Sequence, residues 1–262
     1  MIEVDEEAMR KDFEPLFRLP EFERSLTNVM NDRLSLSVLL MALSYLEGIG
    51  ELAIGAIRQG AVADLMHDLR RHELEEHGHM IGIRLVVQEL FPEFFDGGRY
   101  RFDDFISEKV GSVYSMTVRE TARRRLRQLG RYSPVNLYLI ITFGGEIVVE
   151  VLYAMLIEAL ERSTLPAQLK DRVRFILQLI LSQEETHDVL LTEQHNALLA
   201  TDRAKLSPEG CAMLDALERL TGEDYRWTTE FMMRAFVSWT GAFFADPAKV
   251  RATLGSENRA GI

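Results

Sequence analysis

Gln183-Glu184-Glu185-Thr186-His187 holds a glutamate and a histidine three residues apart, and Glu75-Glu76-His77-Gly78-His79 repeats the arrangement with Glu76 and His79. Residues three apart on a helix share a face, so each pair points a carboxylate and an imidazole the same way. One such pair is common on a solvated surface. Two carry more weight, because each continues the apolar stripe of its own helix. Val173, Ile176, Leu177 and Ile180 lead to Glu184 and His187, with Leu191 beyond; Leu65 and Leu69 lead to Glu76 and His79, with Ile83, Val86 and Leu90 beyond. An ionised group on a buried stripe needs a partner, since removing it from water is costly. A metal ion is the simplest partner. Two Glu-x-x-His helices, with one glutamate from each of two further helices, are the ligand set of a di-metal carboxylate site inside a four-helix bundle.

The rest of the chain supplies the two further helices. The spacing predicts bundle helices over about 34–58, 61–91, 134–161 and 167–199. Asn31 or Asp32 is a plausible cap for the first, and Pro92 closes the second. Ser133-Pro134 is a cap followed by proline at the first helical position of the third. Residues 104–129 read as a long crossover helix, and 92–103 as a loop around Asp96-Gly97-Gly98. Such a helix spans roughly 40 Å at 1.5 Å per residue, enough to carry the chain back along the bundle. Residues 1–33 read as short helices outside the bundle. Residues 207–262 read as a C-terminal helical extension, with an aromatic-rich helix over about 223–244. The expected fold is all-α, one domain over 1–262. The halves echo each other: an apolar helix with Glu-x-x-x-Glu (Glu47, Glu51; Glu146, Glu150), then an amphipathic helix with Glu-x-x-His.

In an antiparallel hairpin, residues at one height are equidistant from the turn. Glu47 paired with Glu76 and His79 places the midpoint near residue 62, and Glu146 paired with Glu184 and His187 places it near 166, inside Ser163-Thr164-Leu165-Pro166. Glu47 and Glu146 are therefore the expected ligands beside Glu76, His79, Glu184 and His187. Glu51 and Glu150 lie one turn away as extra or supporting acids. His72 lies four residues before Glu76 on the same face, as either a further ligand or a packed histidine. Glu75 and Gln183 directly precede the motif glutamates and are placed to bond the imidazoles across the bundle. Four carboxylates balance two divalent ions, and mixed oxygen and nitrogen donors suit iron or manganese. Gly48, Gly50, Gly144 and Gly145 beside the inner glutamates either leave room near the metals or let helices approach closely. His67, His77 and His195 read as surface or structural. The aromatic residues Trp227, Phe231, Phe236, Trp239, Phe243 and Phe244 read as packing or a subunit contact.

Composition bounds the function classes. The chain is 47% hydrophobic and 27% charged, enough apolar material for a sizeable core. A net charge of −11 disfavours nucleic acid and anionic membrane surfaces as partners. One cysteine, Cys211, excludes an internal disulfide framework and a multi-thiolate zinc site. The apolar run from Leu34 to Ile57 is broken by Glu47 and Glu51, and the next helix is too polar for lipid. The acidic start of the chain lacks a signal-peptide core, so a cytoplasmic location is expected.

The set Glu47, Glu76-x-x-His79, Glu146 and Glu184-x-x-His187, on helices covering roughly 34–199, resembles the ferritin-like di-iron carboxylate superfamily. The resemblance implies a ferritin-like bundle with two iron ions (Fe2+/Fe3+) and dioxygen or peroxide chemistry. The chain carries more mass outside the bundle than ferritins and bacterioferritins. It has Ile83 where the ribonucleotide reductase small subunit keeps its radical tyrosine, and too few cysteines for the second iron site of rubrerythrin. What is left implies an O2-activating oxygenase or oxidase that hydroxylates, N-oxygenates or desaturates a small organic substrate. The electron donor is unspecified, and a homodimer is expected. Arylamine N-oxygenases are similar in size, but they carry a third histidine one turn before the second motif. Here that place is Ile180, and His72 holds the equivalent place before the first. The alternative is ferritin-like iron storage or a peroxide-detoxifying di-metal protein.

Overall fold

A computed structural model describes residues 11–12, 14–16, 18–58, 69–129, 134–218 and 222–257; within these, side chains are not described for 134–147 or 188–196, among others. The described chain is almost wholly helical: α1 (Pro20–Asn31), α2 (Arg33–Arg58), α3 (Leu69–Leu90), α4 (Asp103–Leu129), α5 (Pro134–Arg162), α6 (Ala167–Leu199), α7 (Pro208–Leu217), α8 (Gly222–Phe243) and α9 (Pro247–Glu257). The all-α expectation holds. The stripe residue Leu65 and the histidine His67 lie outside the described residues.

Local chemistry sets the helix ends. Asp32 accepts from the Ser35 amide at 3.0 Å and the Ser35 hydroxyl at 2.7 Å, which caps α2. Pro20, Pro134, Pro208 and Pro247 open their helices at the position where a missing N–H costs nothing. Asp246 caps α9 by accepting from the Ala248 amide at 2.8 Å.

The segment 92–103 is more ordered than the expected loop. After a 3-10 turn at Pro92–Phe94, strands β1 (Phe95–Asp96) and β2 (Arg99–Tyr100) pair antiparallel. Gly97 and Gly98 both take positive φ, 56° and 82°, as a two-residue turn of primed type requires. The ribbon buries Tyr100, whose hydroxyl lies 2.7 Å from the Ser37 hydroxyl on α2. The turn therefore also locks the start of α4 to the start of α2.

Two helix pairs and their contacts place the site. α2 and α3 run antiparallel: Arg33 reaches the Leu90 carbonyl at one end, and Ser44 donates to the Met80 carbonyl at mid-length. α5 and α6 follow one another through the short turn at 163–166 and pack together. The pairs meet where α3 touches α6 and α2 touches α5. α3 and α6 approach closely at Gly82, where a Cβ would stand 2.9 Å from Ile176 Cδ1. Val173, Leu177, Ile180 and Ile83 are fully buried along this seam. The long α4 packs on α2, α5 and α8.

The helices outside this arrangement are joined to it by aromatic and polar contacts. α1 buries Phe22, Leu26, Val29 and Met30. Phe22 meets Phe236 of α8 edge-on, and Asn28 donates to the Ala245 carbonyl at 2.8 Å. Trp239 stacks on Phe243, and Phe244 is buried beside both. Within the chain these aromatic residues pack on one another and against the core. α9 forms a separate helix within the C-terminal extension, and Asp246-Pro247 supplies its start signal. Among the described residues one helix, over Arg33–Leu52, is long and apolar enough to cross a membrane by length and composition, and most of it is buried within the protein. The clasp between α1 and α8 predicts that Phe22→Ala will lower the unfolding free energy by about 3–5 kcal/mol. Chemical denaturation checks this; a loss under about 1 kcal/mol would show that α1 is peripheral.

Candidate metal centre

α3 lays His72, Glu76 and His79 along one face at i, i+4 and i+7. α6 brings Glu184 and His187, and α2 brings Glu47. All six residues are buried, none more than 5% exposed. They form two overlapping groups able to hold a metal ion, each with its ligand atoms within 4.8 Å of one another. One is Glu47, Glu76, His79 and Glu184. The other is His72, Glu76 and His187. Glu76 belongs to both.

The two motif imidazoles are oriented alike. His79 turns Nδ1 towards Glu184 Oε1 at 3.1 Å and Glu47 Oε2 at 3.2 Å, while its Nε2 bonds the Gln183 amide oxygen at 2.9 Å. His187 turns Nδ1 towards Glu184 Oε2 at 2.9 Å, with Glu76 Oε1 at 3.8 Å, while its Nε2 bonds Glu75 Oε2 at 3.0 Å. Each outer bond crosses between α3 and α6. Glu75, half-buried, is in turn bonded by Arg71 at 2.9 Å. An N–H held on the outer nitrogen leaves the inner nitrogen's lone pair for a cation once its own proton is displaced.

The register explains which glutamate of α2 arrives. Glu47 stands level with His79. Glu51, one turn on, stands level with exposed His77 and bonds its Nδ1 at 3.1 Å, so Glu51 is outside both groups. On α5, the Glu146 side chain lies outside the described residues, as does that of His195 on α6. Glu150 is buried but belongs to neither group among the described residues. His72 is fully buried, with Nε2 3.2 Å from Glu76 Oε1 and its ring centroid 4.1 Å from that of His187. Tyr153 of α5 is fully buried and donates its hydroxyl to Glu47 Oε1. The sequence contained a signal for it, since Tyr153 is seven residues after Glu146 and so on one helix face with it. Tyr45 of α2 points elsewhere: it donates to Asp103 at 3.0 Å, under Arg84.

Gly48 and Gly50 serve close approach. A Cβ on Gly48 would stand 2.8 Å from Met80 Sδ, and one on Gly50 would stand 2.8 Å from Glu76 Oε2. The space beside α2 is already filled by α3 side chains. Gly144 and Gly145 lie among residues whose side-chain surroundings are not described.

Electrostatics agree with a cation at this place. Burial alone would lower the His79 pKa, but the bonds to Glu184 and Glu47, with their charges, outweigh it and raise it to about 10. Burial opposes ionisation of Glu75, yet Arg71 and His187 bring its pKa below the usual carboxylate value. Burial, then the Glu47 charge, hold the Tyr153 phenol well above its ordinary value, so it is neutral and donates. The donor set of carboxylate oxygens and imidazole nitrogens fits a divalent transition ion. Such an ion brings two positive charges to the point where Glu47, Glu76 and Glu184 converge; each imidazole proton brings one.

Two predictions follow from this geometry. Gly50→Ala will displace the Glu76 carboxylate and weaken divalent-metal affinity roughly tenfold or more. The melting temperature will hold or rise, because alanine favours a helix and the obstructed atom ends a flexible side chain. Metal titration beside thermal unfolding checks it, and unchanged affinity counts against Glu76 as a ligand. The second concerns protons. In the metal-free protein the His79 proton stabilises the fold below the ordinary value of 6.5, and that contribution is lost as pH rises through about 10. A metal must displace this proton, so binding at pH 7 will release about one proton from His79. Calorimetry in buffers of different ionisation enthalpy will show it as a buffer-dependent heat; equal heats contradict it.

Compared with known proteins, the chain matches no family model, no curated protein sequence and no solved structure. Its chemistry has to be read from these side chains.

Proposed function

We propose that the protein is a ferritin-like di-iron carboxylate oxidase or oxygenase that uses O2 to oxidise a small organic molecule. The observation that carries this reading is the pair of buried ligand groups that share Glu76. A shared carboxylate between two donor sets suits two ions rather than one. The α2–α3 and α5–α6 pairs, joined by long α4, are compatible with a ferritin-like bundle and its crossover.

Glu47, Glu76, His79, Glu184 and His187 would hold the two ions between them. Glu146 is the proposed further carboxylate from α5. Two iron ions held there would supply the binding and reduction of O2, which the side chains alone lack. The chain's own residues do the positioning. Gln183 and Glu75 fix the ring orientation of His79 and His187 from outside. Tyr153 holds Glu47 from α5. Burial keeps bulk water from the carboxylates, so charge interactions there are stronger than in solvent. The substrate, an external electron donor and self-association as a homodimer belong to the same proposal. Manganese is the competing metal, since its ligand preferences overlap.

Metal analysis of the purified protein, with an electronic spectrum of its oxidised form, tests the reading. We expect about two irons per chain, and loss of both in the Glu76→Ala/Glu184→Ala double variant. With excess ferrous iron in air, uptake will stop at that level, and the reduced protein will consume O2. Full metal content in the double variant would sink the ligand assignment. A large particle that goes on accumulating iron would replace the oxidase reading with iron storage.

A further inference from the structure

We infer that the two metal positions are chemically unlike: the position at His187 takes a second imidazole from His72 and is the one a nitrogen-preferring ion fills first. This deepens the di-metal reading and rests on it.

The asymmetry starts in the sequence of two helices that otherwise match. α3 carries His72, Glu76 and His79 on one face; α6 carries Ile180, Glu184 and His187 at the same three places. Ile180 is fully buried and apolar, so α6 has nothing to match His72. Each helix places its Glu-x-x-His imidazole on one side of the shared carboxylates. Only α3 extends past its glutamate in the other direction, by one turn, with a further imidazole. α3 and α6 run antiparallel here, His79 bonding Gln183 while the earlier Glu75 bonds the later His187, so this additional ring arrives beside His187. The His72 and His187 centroids are 4.1 Å apart, whereas those of His79 and His187 are 6.1 Å apart.

Donor chemistry then separates the positions. The group at His79 contains three carboxylates and one imidazole; the group at His187 contains two imidazoles and Glu76. Glu184 lies against both histidines, so it does not distinguish them. A carboxylate from Glu146 would add an oxygen to one position but leave the imidazole count at two against one. Imidazole-rich sites favour ions late in the divalent series, copper above all, while oxygen-rich sites suit harder ions. The competing role for His72 is a hydrogen bond to Glu76 Oε1 at 3.2 Å with no metal contact. That role predicts no change in the metal's nitrogen count when His72 is replaced.

Copper(II) is the probe, because its electron paramagnetic resonance spectrum reports coordinated nitrogens. Metal-free full-length protein takes one equivalent, then a second. We expect the first equivalent to show two imidazole nitrogens in the wild type and in His79→Gln, and one in His72→Gln. Affinity for that first ion should fall at least tenfold in His72→Gln only. Circular dichroism of the metal-free variants checks folding. If His72→Gln does not fold, the wild-type count decides, since a single nitrogen on the first copper overturns the inference. Identical first-equivalent spectra in wild type and His72→Gln overturn it too, as does loss of a nitrogen in His79→Gln instead. In those cases, uptake of two coppers per chain leaves the di-metal reading standing. A wild type that binds no copper removes both.

Discussion

Glu47, Glu76 and Glu184 converge inside the protein with ligand atoms less than 4.8 Å from one another and from His79. Carboxylates brought this close and this deep repel each other and lose their hydration, so the arrangement needs positive charge at its centre. Without a metal, the protein meets part of that need with a proton on His79, whose pKa is held near 10 by Glu184 and Glu47 against the effect of burial. A divalent ion meets it more fully. The same interaction that makes the cluster electrostatically expensive makes it able to hold a metal ion, for which a proton on His79 would be the competitor.

The helices are arranged to allow that convergence. α3 is central to it: its His72, Glu76 and His79 face inward, its Glu75 reaches across to His187, and it contacts both α2 and α6. Two glycines let it sit there. Gly50 on α2 leaves the place occupied by the Glu76 carboxylate, and Gly82 on α3 admits Ile176 of α6. The cross-helix bonds from Gln183 to His79 and from Glu75 to His187 then tie α3 and α6 at the level of the cluster. Packing and polar contacts thus hold the same seam, one layer apolar and the next ionic.

Elements farther out stiffen this frame without touching the cluster. The ribbon at Phe95–Tyr100 anchors the start of α4 beneath α2, and α1 clasps α8 through Phe22 and Phe236. These contacts account for sequence outside the four pattern-bearing helices.

Much of this was legible in the residues. Two Glu-x-x-His pairs on apolar stripes marked α3 and α6 and their inward faces, because helical period converts spacing into direction. Counting from the turn put Glu47, not Glu51, level with His79, because an antiparallel hairpin converts residue number into height. Residue order alone even placed Glu75 and Gln183 where they bond the opposite imidazoles. Three features were decided only by the tertiary structure. His72 lies beside His187, because the antiparallel register of α3 against α6 sets which ring an additional imidazole meets. Tyr153 bonds Glu47, because contact between α2 and α5 joins residues over a hundred positions apart. Gly48 and Gly50 admit α3 side chains rather than leave space, because whether a missing Cβ is a void or a socket depends on the neighbour that packs against it. Periodicity fixes where a side chain points along its own helix; what it meets there is a property of the packed whole.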